Sequence, residues 1–437
     1  MWRIFTLCGM LCGWAVALTA AELATPQFEH LKALYLHLHQ NPELSFKEHR
    51  TAARLATELS ALGFEVTDQF GGTGVVAVLA NGVGPTILIR ADMDALPVAE
   101  KTGLEYASTV IATSVDGHSK PVMHACGHDI HMTVLVGTAA QLAKSKAHWK
   151  GTLIMIAQPA EERGAGASAM LKAGLFSKFP RPDFNLALHV SAGIPAGKVG
   201  YVAGPALANV DSVDITVHGV GGHGAYPHLV RDPVVLSAQI ITALQTIVSR
   251  ELSPLEPAVL SVGSIHGGHK HNVIPDKVTL QLTLRSYTAD VRLQMIEAIR
   301  RITKNLAIAA RMPPDKMPEV KVKDEYTPVA YNDPALTTRM AAVFMSEIGT
   351  DNVIEISPVM GGEDFGRYGQ VEPKIPSMIY WLGAVDREQY SMAQASSEPL
   401  PSLHSPLFAP EYEMTIRTGV TVMSAAAFNL LDKHSID

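Results

Sequence analysis

Thr86-Ile87-Leu88-Ile89-Arg90-Ala91-Asp92-Met93-Asp94 begins as an apolar run without polar alternation and closes on two carboxylates. A run of that kind is a strand buried on both faces, as in the sheet of an α/β protein. The same pattern recurs in Gly74-Val75-Val76-Ala77-Val78-Leu79-Ala80, in 152–157 and in Asp183-Phe184-Asn185-Leu186-Ala187-Leu188. Helical rhythm fills the gaps, over 23–62 (broken at Asn41-Pro42, ended at Gly63), 131–147 and 165–173. Short buried strands alternating with helices predict a mostly parallel sheet.

The style changes near Asp211. Val213, Ile215 and Val217 alternate with Asp214, Thr216 and His218, so one face of this strand meets solvent. A helix over 232–251, strands over 258–265 and 277–287, a helix over 289–309 and a strand over 319–326 follow. That β-α-β-β-α-β order suits a small antiparallel, ferredoxin-like sheet with two helices on one face. Beyond Tyr331 the first style returns, with a helix over 334–348 and a strand over 376–382. The expected fold is therefore an α/β domain (22–209 and 327–437) interrupted by an inserted α+β domain (210–326).

The 437 residues agree with two or three domains at roughly 150 residues each. Hydrophobic residues make up 47% and charged residues 18%, enough for a large core and too apolar for disorder. A net charge of −7 offers no polybasic face, which argues against nucleic acid and anionic lipid as partners. Residues 1–21 resemble a secretory signal: Arg3, an apolar stretch from Ile4 to Leu18, then Thr19-Ala20-Ala21. The apolar run is shorter than the ~20 residues of a membrane span, so an exported chain (periplasmic or secreted), not membrane-held after cleavage, is expected. Cleavage removes Cys8 and Cys12 and leaves Cys126, which then has no partner for a disulfide.

Three expected strands end at reactive side chains: Asp92 and Asp94, then Glu161-Glu162, then His189. Ligands of open α/β sheets lie at the carboxyl ends of strands. The densest cluster is Met123-His124-Ala125-Cys126-Gly127-His128-Asp129, where a tight glycine turn can bring a thiolate and an imidazole to one point. Those ligand types suit a divalent metal such as zinc, and Asp129 could accept the other ring N–H of a ligand histidine. Two other readings of the segment stand beside it: a buried cysteine next to a helix-capping aspartate, or a Cys126 nucleophile with His128 as its base. Metal binding alone also gives roles to the extra carboxylates and to His189 and His404. The adjacent Glu161 and Glu162 can split the work, one on metal and one facing substrate as a general base. His37 and His39 are two apart on a helix and do not share a face, so local structural roles are expected of them.

Ordered segments resemble the M20 family of metallo-amidohydrolases and peptidases, in particular the subgroup acting on N-acyl amino acids, such as hippurate and auxin-conjugate hydrolases. They are His39-Gln40-Asn41-Pro42-Glu43, Arg90 to Pro97, His124 to Asp129, Gln158 to Glu162, Leu188-His189-Val190, Gly221 to His228, Asn272 to Pro275, Gly361 to Phe365 and Leu403 to Pro406. The resemblance implies two divalent ions on Cys126, His128, Glu162, His189 and His404, zinc or manganese ahead of cobalt or nickel. It implies Glu161 as general base on a water held between the ions, and Asp94 as a supporting aspartate. His223 would reach the reacting carbonyl, often in a neighbouring subunit's site, while Asn272 and Arg285 would hold the substrate's carboxylate. The inserted domain would be a lid and homodimerisation domain, and the reaction amide hydrolysis of an N-acyl amino acid. A dipeptidase or carboxypeptidase with the same site is the neighbouring alternative, and a non-catalytic small-molecule-binding protein a more distant one.

Overall fold

The computed structural model describes residues 24–114, 117–324, 326–396 and 398–431; the expected signal segment lies outside them. At the centre, Thr86–Asp92 lies between Gly151–Gln158 and Phe184–Pro195, all parallel, and Ser377–Val385 runs parallel beyond the last. Flanking strands, most of them antiparallel, extend this core to eight. Ile87 and Ile89 pack into one hydrophobic cluster and Leu88 into another, as do Leu153 and Met155 against Ile154 and Ile156. Both faces are apolar because both are covered, which is what the missing alternation signalled.

One face carries the helices Thr25–Gln40, His49–Ala61, His128–Lys144, Pro334–Ile348 and Tyr412–Leu430. Short helices Gly166–Lys172, Leu175–Lys178 and Gly366–Gly369 sit with the other cluster. Among the described residues, no helix is long and apolar enough to cross a membrane.

A four-stranded antiparallel sheet runs in the order Ala258–His266, Lys277–Ser286, Asn209–His218, Glu319–Val322. With the helices Pro233–Thr246 and Ala289–Ala309 it encloses its own core, in which Val213, Ile215 and Val217 are buried. This strand order is the one a β-α-β-β-α-β chain forms when each βαβ half leaves room for a strand of the other.

Several expected boundaries move; the strand expected over 183–188, for one, runs on to Pro195. The helix expected from 131 begins at His128, because Gly127 turns the chain at φ 77 and Asp129 occupies the electropositive first turn. The helix expected over 232–251 is regular only to Thr246, with a wider turn over Ile247–Glu251, and Asp232 caps its start by accepting Val234 N–H at 2.8 Å. The last strand of the small sheet stops at Val322 rather than at 326.

Candidate metal centre

The parallel strands bring their carboxyl ends together: Asp92 stands level with Gln158, and Arg90 with Ala187 two residues before His189. Gly127, in the left-handed region at φ 77, then turns the chain into the helix His128–Lys144. A Cβ there would meet Val190 Cγ2 at 2.4 Å, so the turn that presents Cys126 and His128 requires glycine. Ala160 (φ 50) and His404 (φ 67) also lie in the left-handed region, where a side chain costs on the order of 1–3 kcal/mol. Both flank the site.

The five residues expected as ligands converge. Cys126 Sγ is 3.5 Å from His189 Nε2 and 3.3 Å from His404 Nε2. Glu162 reaches both sides, with Oε2 3.5 Å from His404 Nε2 and Oε1 3.9 Å from His128 Nε2. They form two triads that share the thiol: Cys126, His128, His189 and Cys126, Glu162, His404, the donor atoms of each within 4.8 Å of one another. Glu161 borders this cluster, its Oε2 4.0 Å from His128 Nε2.

Backbone groups fix the imidazoles. His128 Nδ1–H donates to the Asp94 carbonyl at 2.7 Å and His189 Nδ1–H to the Val190 carbonyl at 2.8 Å. In the neutral rings this leaves each Nε2 with its lone pair toward Cys126 and Glu162. Carboxylates fix the glutamates in turn. Glu48 accepts the N–H of Ala160 at 2.9 Å, and Asp94 accepts those of Glu161 (3.0 Å) and Glu162 (3.1 Å) together with the Ser45 hydroxyl (2.6 Å).

Two features of this cluster fit cations. His128 Nε2 and Glu162 Oε1 are buried and lack hydrogen-bond partners, at a cost of about 1–3 kcal/mol each unless something satisfies them. Burial and the carboxylates of Glu162 and Glu161 push the Cys126 thiol well above its ordinary range. Burial, then Glu363 and Glu162, do the same to the Glu161 carboxyl. A divalent ion reverses that cost by favouring the thiolate and carboxylate forms.

Two further acidic groupings are already satisfied. Asp92 accepts from His131 Nδ1 at 2.6 Å, while Val190 N–H donates to His131 Nε2 at 2.9 Å. Glu363 and Asp364 face the buried Arg90 guanidinium at 2.7 and 3.3 Å, with Asp92 on its other nitrogen at 2.6 Å. His131 and this Arg90 network had no role in the sequence reading. An arginine inside an otherwise apolar two-sided strand was the available signal, since a buried charge must be paired. Asp129 holds no ligand histidine either: it accepts His39 Nδ1–H at 2.7 Å, and His39 Nε2 is 3.2 Å from Glu100.

A cavity of about 1000 Å³ opens over the cluster, lined among others by Cys126, Glu161, Glu162, His189, His404 and Arg285. The Arg285 guanidinium is half-buried, held below its ordinary value by that burial, and has no ion-pair or hydrogen-bond partner among the described residues. His223 and Asn272 stand apart. Exposed His223 pairs with Val273, its Nδ1 accepting Ala225 N–H at 3.0 Å, exposed Asn272 precedes that strand and accepts Gly224 N–H at its carbonyl at 2.8 Å, and neither lines the cavity.

Residues 88–404 match peptidase family M20/M25/M40, and the chain belongs to that family. It is 39% identical to thermostable carboxypeptidase 2 of Saccharolobus solfataricus, over 79% of this chain and 84% of that protein. It is 37% identical to N-acetyldiaminopimelate deacetylase of Leuconostoc citreum, over 84% and 91%. Its fold superposes on a dinuclear metal binding peptidase of the M20 family from Bacillus subtilis with a TM-score of 0.74, 29% identity and coverage of 92% and 98%.

Proposed function

We propose that this protein hydrolyses the amide bond of N-acyl amino acids, releasing a carboxylic acid and a free amino acid. The observation supporting this reading is the convergence of Cys126, His128, Glu162, His189 and His404 on one another, four of them (all but His128) lining a cavity that also holds the unpaired Arg285 cation. Those five residues would hold two divalent ions, zinc or manganese ahead of cobalt or nickel. When bound, such ions polarise a carbonyl and acidify water.

The chain's own groups do the rest. Glu161, outside both triads yet against them, takes a proton from the attacking water at its carboxylate and delivers it to the leaving nitrogen, which must be protonated as the C–N bond breaks. Asp94 positions Glu161 and Glu162 through their backbone N–H groups. Arg285 holds the amino-acid carboxylate, a pairing worth more in a half-buried cavity than in water. His223 and Asn272, away from this cavity, would serve the site of a second copy in a homodimer formed through the four-stranded sheet. Export, expected from the sequence of residues 1–21, would put the reaction outside the cytoplasm.

The carboxypeptidase name of one relative favours one further reading, in which the acyl side is itself an amino acid. Kinetics on N-acetyl and N-benzoyl amino acids against dipeptides separate the two. Chelator should abolish cleavage and added ions restore it. Activity that survives chelation but not a thiol reagent would instead favour a Cys126 nucleophile.

A further inference from the structure

We propose that a second cavity beside the first is the subsite for the acyl group, and that it selects an uncharged apolar chain of several carbons over acetyl. The inference rests on the amide hydrolysis proposed above. This cavity has a volume of about 490 Å³ and is lined by Leu44, Ala95, Leu96, Pro97, Ser45 and Thr113. Glu162 and Arg163 line both cavities, so the two meet at a side chain of the reactive cluster.

An amide substrate leaves its carbonyl in two directions. The amino-acid half ends in a carboxylate, and the half-buried Arg285, without a partner among the described residues, lines the first cavity and not the second, whose two cations, Arg163 and Lys47, are both exposed. The acyl half therefore has the second cavity on the far side of Glu162. The lining agrees: Leu44 and Ala95 are buried, Leu96 and Pro97 complete an apolar wall, and Glu162 is its one carboxylate. Lys47 stands exposed at the rim.

The walls are preformed. Leu96 exchanges two backbone hydrogen bonds with Met123, each 3.0 Å, and Ala95 N–H donates to the Glu43 carbonyl at 2.8 Å. A fixed apolar cavity that an acetyl methyl leaves mostly to water gains from every methylene that displaces that water. Its volume also exceeds the roughly 150 Å³ that suffices for a benzene ring in an engineered apolar cavity.

The test is a series of N-acyl-alanines with acyl chains of two to eight carbons, plus the glutaryl compound, on the full enzyme. Each buried methylene should raise kcat/KM by roughly threefold to fourfold. The octanoyl-to-acetyl ratio should then reach about 30 or more even with partial burial, and glutaryl should lag hexanoyl. Thr113→Trp, on an exposed hairpin, fills the cavity and should lower that ratio at least about tenfold; Leu96→Ala, which strips its wall, should lower it too. Acetyl cleavage with a flat series, a ratio unmoved in both variants, or a preference for glutaryl would overturn this proposal alone. Cleavage of no member would overturn it together with the hydrolase reading.

Discussion

Asp94→Asn probes how the two glutamates are held. The Asp94 carboxylate is buried and receives three donors: Ser45 Oγ at 2.6 Å, Glu161 N–H at 3.0 Å and Glu162 N–H at 3.1 Å. Asparagine keeps the shape but has one carbonyl oxygen, so its NH₂ must face a donor. One charge-assisted bond is lost, worth about 1.5–3 kcal/mol, and a second donor is repelled at similar cost. Most of that penalty falls on the Ala160–Glu162 segment, not on the whole fold, because the strand beneath is pinned on both sides by parallel neighbours. If two to four kcal/mol of segment ordering is felt when Glu161 must be in place, kcat drops by roughly 30- to 1000-fold. KM should move far less, since Arg285, which holds the substrate's carboxylate, is untouched. Steady-state kinetics at saturating metal, with thermal melting as a control for folding, reads both quantities. A variant whose kcat stays within threefold of wild type would refute the reasoning.

Three other outcomes follow from the same geometry. Glu161→Gln should retain its bound metal by elemental analysis while turnover falls about 10²- to 10⁴-fold; metal lost along with activity would make Glu161 a ligand instead. Arg285→Met should raise KM for an N-acyl amino acid about 10- to 150-fold and leave the corresponding carboxamide unaffected, because one charged contact is removed. His39 is one pH-sensitive element of the fold. Burial lowers its pKa, but the hydrogen bonds and charges of Asp129 and Glu100 outweigh that and raise it to about 9. A raised histidine contributes stability that is complete below pH ~6.5 and lost as pH climbs through about 9, up to about 3 kcal/mol here. Urea midpoints at pH 6 and 9.5 should therefore diverge more for wild type than for His39→Gln; equal differences would contradict the pairing.

Much of this was legible in the sequence because the chemistry sits where local patterns end. The runs at 86–92, 152–157 and 183–188 declare two-sided burial, and the residues that follow them enter the cluster with Cys126 and His128. The alternation at Val213, Ile215 and Val217 likewise marked the four-stranded sheet. What local pattern could not show were pairings across long separations. Arg90 meets Glu363 and Asp364, more than 270 residues on, and His39 meets Asp129, 90 residues on. Neither partner is implied by its neighbours, so His39 passed for a local structural residue and Asp129 for the support of a ligand histidine. The helix Tyr412–Leu430 was missed for a related reason: twelve of its residues are buried, and a helix apolar on most sides has little periodicity to detect.

The claim on which the rest depends is that five side chains gather two cations around one thiol. Anomalous X-ray diffraction at the absorption edge of the metal present in the purified protein addresses it directly. Two peaks are expected about 2.0–2.3 Å from their ligand atoms, both next to Cys126, one on the His128 and His189 side and one on the Glu162 and His404 side. A single peak, or none within reach of Cys126, would contradict the account.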